Sequence, residues 1–148
     1  MIYTEKPIAI DSQQFAHVNA ARAKLHLDRV LESGLLGNDR QESGVIDGAR
    51  AVVLTRLEAL PGDAAMLFHG YCDHSDAPFK GTAYFFTVHC SDEIDPTLHY
   101  KEQERKVHQE LKRAWRNHPT THLDPLLGRI TPLTAVVTPE RDMELSNE

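Results

Sequence analysis

Two segments decide how this chain is read: "AAMLFHGYC" at 64–72 and "TAYFFTVHC" at 82–90, joined by "DHSDAPFKG" at 73–81. They are the most aromatic and apolar parts of the chain, and the joining stretch carries Asp, Ser, Pro and Gly, the residues that favour turns. That pattern predicts a β-hairpin. Side chains alternate along a strand, so each predicted strand has two faces. Ala64, Met66, Phe68 and Cys72 of the first, with Thr82, Tyr84, Phe86, Val88 and Cys90 of the second, form the predicted core face. Leu67, His69 and Tyr71, with Ala83, Phe85, Thr87 and His89, form the opposite face.

Upstream, "ARAVVLTRLEAL" at 49–60 reads as a third strand, ended by Pro61-Gly62, which extends the hairpin to a three-stranded meander over 49–90. In the expected register Val53, Thr55, Leu57 and Ala59 join the core face. Val52, Leu54, Arg56 and Glu58 then fall beside His69 and Tyr71, with Glu58 in the row of His89. Asp11 or Ser12 caps a helix expected over about 12–33, stopped near Gly34 or Gly37. Its apolar residues form two stripes, Phe15, Val18, Ala21 and Leu25 against Leu27, Val30, Leu31 and Leu35, so it should be bent or contacted on two sides. A second helix is expected over about 96–117, with Asp95 as N-cap and Pro96 at its first position. "IYTEKPIAI" (2–10) and "LTAVVT" (133–138) read as terminal strands, and 139–148 as a mobile tail. The expected fold is therefore α+β in one domain over 1–148, an antiparallel or mixed sheet with two helices on one face.

Composition narrows the function classes. At 148 residues, 41% hydrophobic and 26% charged, the chain is an ordinary globular domain with enough length for a core. A net charge of −6 disfavours indiscriminate phosphate binding. No apolar run approaches the ~20 residues that cross a bilayer, and the N-terminus lacks the pattern of a signal peptide, so a cytoplasmic protein without membrane contact is expected. Cys72 and Cys90 are then free thiols. Glycine-rich phosphate loops, nucleophile elbows and dinucleotide fingerprints are absent, and no cofactor or metal is assigned.

Three candidate sites remain. The face carrying Leu54, Glu58, His69, Tyr71, Phe85 and His89 is too apolar for water and too polar for a dry core, which suits a homodimer or other protein interface, or else a small-molecule pocket. At the hairpin tip, Cys72, Asp73, His74 and Asp76 could form a hydrolase or transferase site, with or without a metal, if His74 reaches Cys72. On the second helix, Lys101, Arg105, His108, Lys112 and Arg116 share one side and could follow phosphates, although Glu102, Glu104 and Glu110 oppose them. His118 and His122 are spaced i, i+4, but Pro119 and Pro125 argue for a loop there, so they read as solvated loop histidines. The leading expectation is a small binding or accessory protein acting through the mixed sheet face as a homo-oligomer. An enzyme of the Cys72/His74 type comes second and nucleic-acid contact third.

Overall fold

A computed structural model describes residues 6–36 and 50–137. Among these residues the sheet is three-stranded and entirely parallel, in the order β1 (Ile8–Asp11), β2 (Ala51–Thr55), β3 (Ala83–Phe86). This overturns the antiparallel or mixed meander, and the reason lies in the first of the two deciding segments. Its apolar run forms not a strand but two short helices, α2 (Gly62–Ala65) and α3 (Leu67–Tyr71), joined through Met66. Pro61 and Gly62 start the run, Asp63 places an acidic group in its first turn, and Ala, Met and Leu have high helix propensity. Ala64, Ala65, Phe68 and Tyr71 are the buried residues, a spacing of helix rather than strand. A short, mostly apolar run satisfies either geometry, so its own periodicity did not separate them. With a helical crossover between them, β2 and β3 run parallel rather than back to back.

The register is Ile8↔Val52↔Tyr84 and Ile10↔Leu54↔Phe86, and these residues share the covered face. Leu54 is therefore fully buried, not on the second face, and the expected register of that strand was one residue out. Along β3 and the residues that follow it, exposure alternates as expected: Tyr84, Phe86 and Val88 are half-buried, while Phe85, Thr87 and His89 are exposed. Phe68 packs edge-on against Phe86 at 4.9 Å and Tyr84 at 6.1 Å. After β2, Arg56 adopts a left-handed backbone (φ 56°) and turns the chain into a 3-10 turn at Leu57–Ala59.

The expected first helix is interrupted. Asp11 caps a 3-10 turn over Ser12–Phe15 by accepting from Gln13 N at 3.0 Å. Asn19 then accepts from Ala21 N at 2.9 Å at the start of α1 (Ala20–Leu36). The break resolves the two stripes: Ala23, Leu27, Leu31 and Leu35 are buried, whereas Val18 and Leu25 are exposed. Near its end, Gly34 lets Ile8 of β1 press against the helix, for a Cβ there would lie 2.4 Å from Ile8 Cδ1.

Asp95 does not cap the next helix. Its carboxylate instead takes Thr97 N at 2.8 Å and Thr97 Oγ1 at 2.7 Å, closing a local turn, and α4 spans Tyr100–Ala114 with His99 as cap. Two expected helices become five α-helices among the described residues, because 62–71 and α5 (Thr120–Ile130) were read as strand and loop. Pro119 caps α5 and Pro125 lies inside it. The carbonyl that Pro125 would have bonded belongs to the first turn, so one bond is forfeited while Leu123, Leu126 and Leu127 are buried. The expected strand at 133–138 is absent over its described residues, 133–137. The tail expected at 139–148 lies outside the described residues, as does the polar stretch 37–44, "GNDRQESG".

Candidate functional site

Parallel sheets place their binding features at the carboxyl ends of the strands. Here those ends lead into Asp11, Arg56 and Thr87, and Thr87 joins β3 to the turn after β2: Arg56 N donates to Thr87 Oγ1 at 3.0 Å, and Leu57 N to Thr87 O at 2.8 Å. Glu58 reaches across the same end, and its Oε1 accepts from His89 N at 2.6 Å. The expected neighbours Glu58 and His89 thus meet, through a turn rather than a shared sheet row. Beyond them a groove of about 660 Å³ opens beside β3, lined by Phe85, Val88 and Ile94, by Val107 and Ile130, and by residues 133–137.

The other residues expected on that face lie elsewhere. Tyr71 is buried on α3, where its hydroxyl donates to Asp28 Oδ1 at 2.7 Å and its ring stacks on Phe79. Burial and the Asp28 carboxylate hold its phenol protonated well above the ordinary range. It is a tie between α3 and α1. Phe85 remains 58% exposed on the outward side of β3, with His89 exposed further along.

His69 and Asp73 belong to a different constellation, assembled by α5. Arg129 Nη1 donates to the His69 carbonyl, approaches His69 Nδ1 at 2.9 Å and lies 3.2 Å from Asp73 Oδ2. Asp73 in turn accepts from Ser75 N at 3.0 Å. That bond, with further help from Asp76 N and the Arg129 charge, holds its carboxyl below the usual range. No local signal in the sequence singled out Arg129, which is 56 residues from Asp73 and 60 from His69.

The Cys72/His74 site does not assemble as a dyad. His74 and Asp76 are exposed, and among the described residues Cys72 makes no hydrogen bond to His74. Burial pushes the Cys72 thiol up to about 12, against a smaller opposing pull from Arg129. A nucleophilic cysteine needs the reverse shift. Iodoacetamide at pH 8 is therefore expected to label Cys72 on the order of a hundredfold more slowly than a free thiol. Peptide mass spectrometry over time reads this, and labelling at the free-thiol rate would refute it. The raised value also links to folding: its contribution is complete below about pH 9 and is lost as pH rises through about 12.

The basic stripe on α4 is partly neutralised. Arg105 pairs with Glu102 at 2.8 Å and Lys112 with Asp124 at 2.8 Å, while His108 Nε2 meets Thr131 Oγ1. Lys101 and Arg116 are exposed. His118 does lie in the connection between α4 and α5, but it is mostly buried, with Nδ1 3.2 Å from Asp63 Oδ1, whereas His122 lies in the first turn of α5 and is not a loop histidine. Among the described residues no group of three or more His, Cys, Asp or Glu is placed to hold a metal ion.

Comparison with known proteins supplies the family. Residues 3–147 match the family described as lamina-associated polypeptide 1, AAA+ activator domain. Torsin-1A-interacting protein 1 of Homo sapiens is 32% identical over 149 residues, covering 94% of this chain and 24% of the relative. The protein of the same name from Pongo abelii is 32% identical over 152 residues, covering 96% and 24%. That from Rattus norvegicus is 34% identical over 111 residues, covering 68% and 19%. The chain thus spans about a quarter of the length of the first two relatives. A match that runs through the strands, the groove and Arg129 alike means that this chain belongs to the lamina-associated polypeptide 1 AAA+ activator domain family.

Proposed function

We propose that the chain is an accessory domain that docks on a torsin-type AAA+ ATPase and stimulates its ATP hydrolysis, with the outward face of β3 making contact and Arg129 contributing charge. The relatives' name and the family's description support the choice of partner and activity. The observation that carries the reading is the setting of Arg129. Trans-activation of nucleotide hydrolysis commonly uses an arginine that stabilises negative charge developing on the transferred phosphoryl group. A guanidinium suits this because its planar fork meets phosphate oxygens in fixed geometry. Arg129 is held from one side only, through Nη1, by α3 and Asp73, and its side chain is 31% exposed. Nε and Nη2 make no hydrogen bond among the described residues and are available to a partner. Asp73 and the His69 carbonyl are positioning groups that aim the fork.

The test is an ATPase titration with a purified torsin-type ATPase. The wild-type chain should raise the rate saturably. Arg129→Ala and Arg129→Lys should lower the maximal stimulation by about tenfold or more while the half-saturating concentration is kept. Phe85→Asp should do the opposite, raising the half-saturating concentration by about tenfold, as loss of a central aromatic contact does. Absence of stimulation by the wild-type chain overturns the reading, and full maximal stimulation by Arg129→Ala removes Arg129 from it.

A further inference from the structure

Arg129 Nη1 carries two hydrogens and has three acceptors within reach: the His69 carbonyl, His69 Nδ1 and Asp73 Oδ2. The carbonyl is open to it because α3 ends there. Cys72 N donates to Phe68 O at 2.9 Å and Asp73 N to Gly70 O at 3.2 Å, so neither amide of the closing turn takes the His69 carbonyl. Nδ1 is the informative partner. A guanidinium only donates, so at 2.9 Å His69 Nδ1 is the acceptor, and the ring carries its single proton on Nε2. The uncharged ring is the form that fits. A second proton can go only to Nδ1, where it would point at an N–H of a permanent cation. The contact then turns from a hydrogen bond into a repulsion.

We infer that the His69 ring is a proton-sensitive positioning group: uncharged, it holds the Arg129 fork in its aimed position, and on taking a second proton it releases the fork. Two charged groups act on the ring among the described residues. Arg129 of α5 opposes the second proton, and Asp73, just past the end of α3, favours it. The bond from Ser75 N, ahead of Asp76 N and the Arg129 charge, holds the Asp73 carboxyl below the usual range, so it stays ionised where an imidazole changes charge. Asp63 of α2 and Asp28 of α1 are engaged elsewhere, with His118 and with Tyr71. The cluster is only partly buried, so solvent can deliver the proton. Acid therefore removes the ring contact and leaves the His69 carbonyl and Asp73 as tethers. The consequence for ATPase stimulation rests on the activation reading above, whereas the contact itself is a property of the chain alone.

The first measurement is nitrogen NMR of the isotope-labelled full chain with no ATPase present. His69 should be the Nε2–H tautomer at about pH 8, and on acidification to about pH 5.5 the Arg129 side-chain signals should shift with the same midpoint as the His69 ring. ATPase titrations over the same range give the functional readout. His69→Asn keeps an acceptor at the Nδ1 position and cannot be charged. Relative to it, wild type should lose about fivefold or more of its maximal stimulation as pH falls, the size of one hydrogen bond, with the half-saturating concentration unchanged. The ratio cancels the pH dependence of the ATPase itself. His69→Lys, charged throughout, should stimulate weakly at every pH. A His69 ring protonated on Nδ1 at about pH 8, or Arg129 signals indifferent to its titration, would overturn the inference without recourse to any variant. Coupled signals with an unchanged ratio would remove His69 from activation. Absence of stimulation at every pH would instead sink the activation reading, with the NMR result still deciding the contact.

Discussion

Replacing Phe68 with alanine is expected to lower folding stability by about 3–5 kcal/mol, the usual cost of truncating a buried phenylalanine. Phe68 has no exposed surface and is the largest fully buried side chain among the described residues. It stands where α3 meets the covered face of the sheet, edge-on to both Tyr84 and Phe86. A cavity there would loosen the α2–α3 crossover from β3, and with it the parallel arrangement the crossover enforces. Against a total of about 5–15 kcal/mol for a domain, the loss is a large share. Urea unfolding followed by fluorescence measures it directly, since the chain has one tryptophan, Trp115, and it is only 3% exposed. A loss under about 1 kcal/mol would show that α3 does not pack on the sheet as described.

Trp115 is the site of the second large effect. It closes α4, and its indole Nε1 donates to the carbonyl of Leu60 at 2.8 Å, tying the helix to the turn that follows β2. Trp115→Ala removes both packing and the bond, for an expected cost of about 3–5 kcal/mol. Trp115→Phe keeps most of the apolar contact and leaves the buried Leu60 carbonyl without its donor, at about 1–3 kcal/mol. For a chain of this size each kcal/mol lowers Tm by roughly 2–4 °C, so thermal melts followed by circular dichroism resolve the two variants. Equal melting temperatures for Trp115→Phe and wild type would mean that the bond contributes nothing to stability.

The placement of residues explains how far the sequence could be read. The cap at Asp11, the existence of α1 and α4 and the alternation along Tyr84, Phe85 and Phe86 all depend on neighbours within a turn or a strand, and each was visible there. "AAMLFHGYC" was not, because burial rewards an apolar run equally as helix or strand, and the single polar side chain within it, His69, is too little to reveal a period. Reading it as a strand made the sheet antiparallel, placed His69 and Tyr71 beside Phe85, and shifted the register so that Leu54 faced outward. Pro125 misled in a similar way: a proline usually breaks a helix, yet near the start of α5 the burial of Leu123, Leu126 and Leu127 outweighs one lost bond.

By itself the sequence determined the local conformations that capping and alternation enforce, the two sides of β3, and a domain whose apolar content suffices for one core. Only the tertiary structure decided the direction in which β2 and β3 pair, the placement of 133–137 beside the groove, and the meeting of His69, Asp73 and Arg129. Those features depend on groups tens of residues apart, whose approach is set by how helices cross the sheet, and nothing in the spacing of neighbouring residues encodes that crossing.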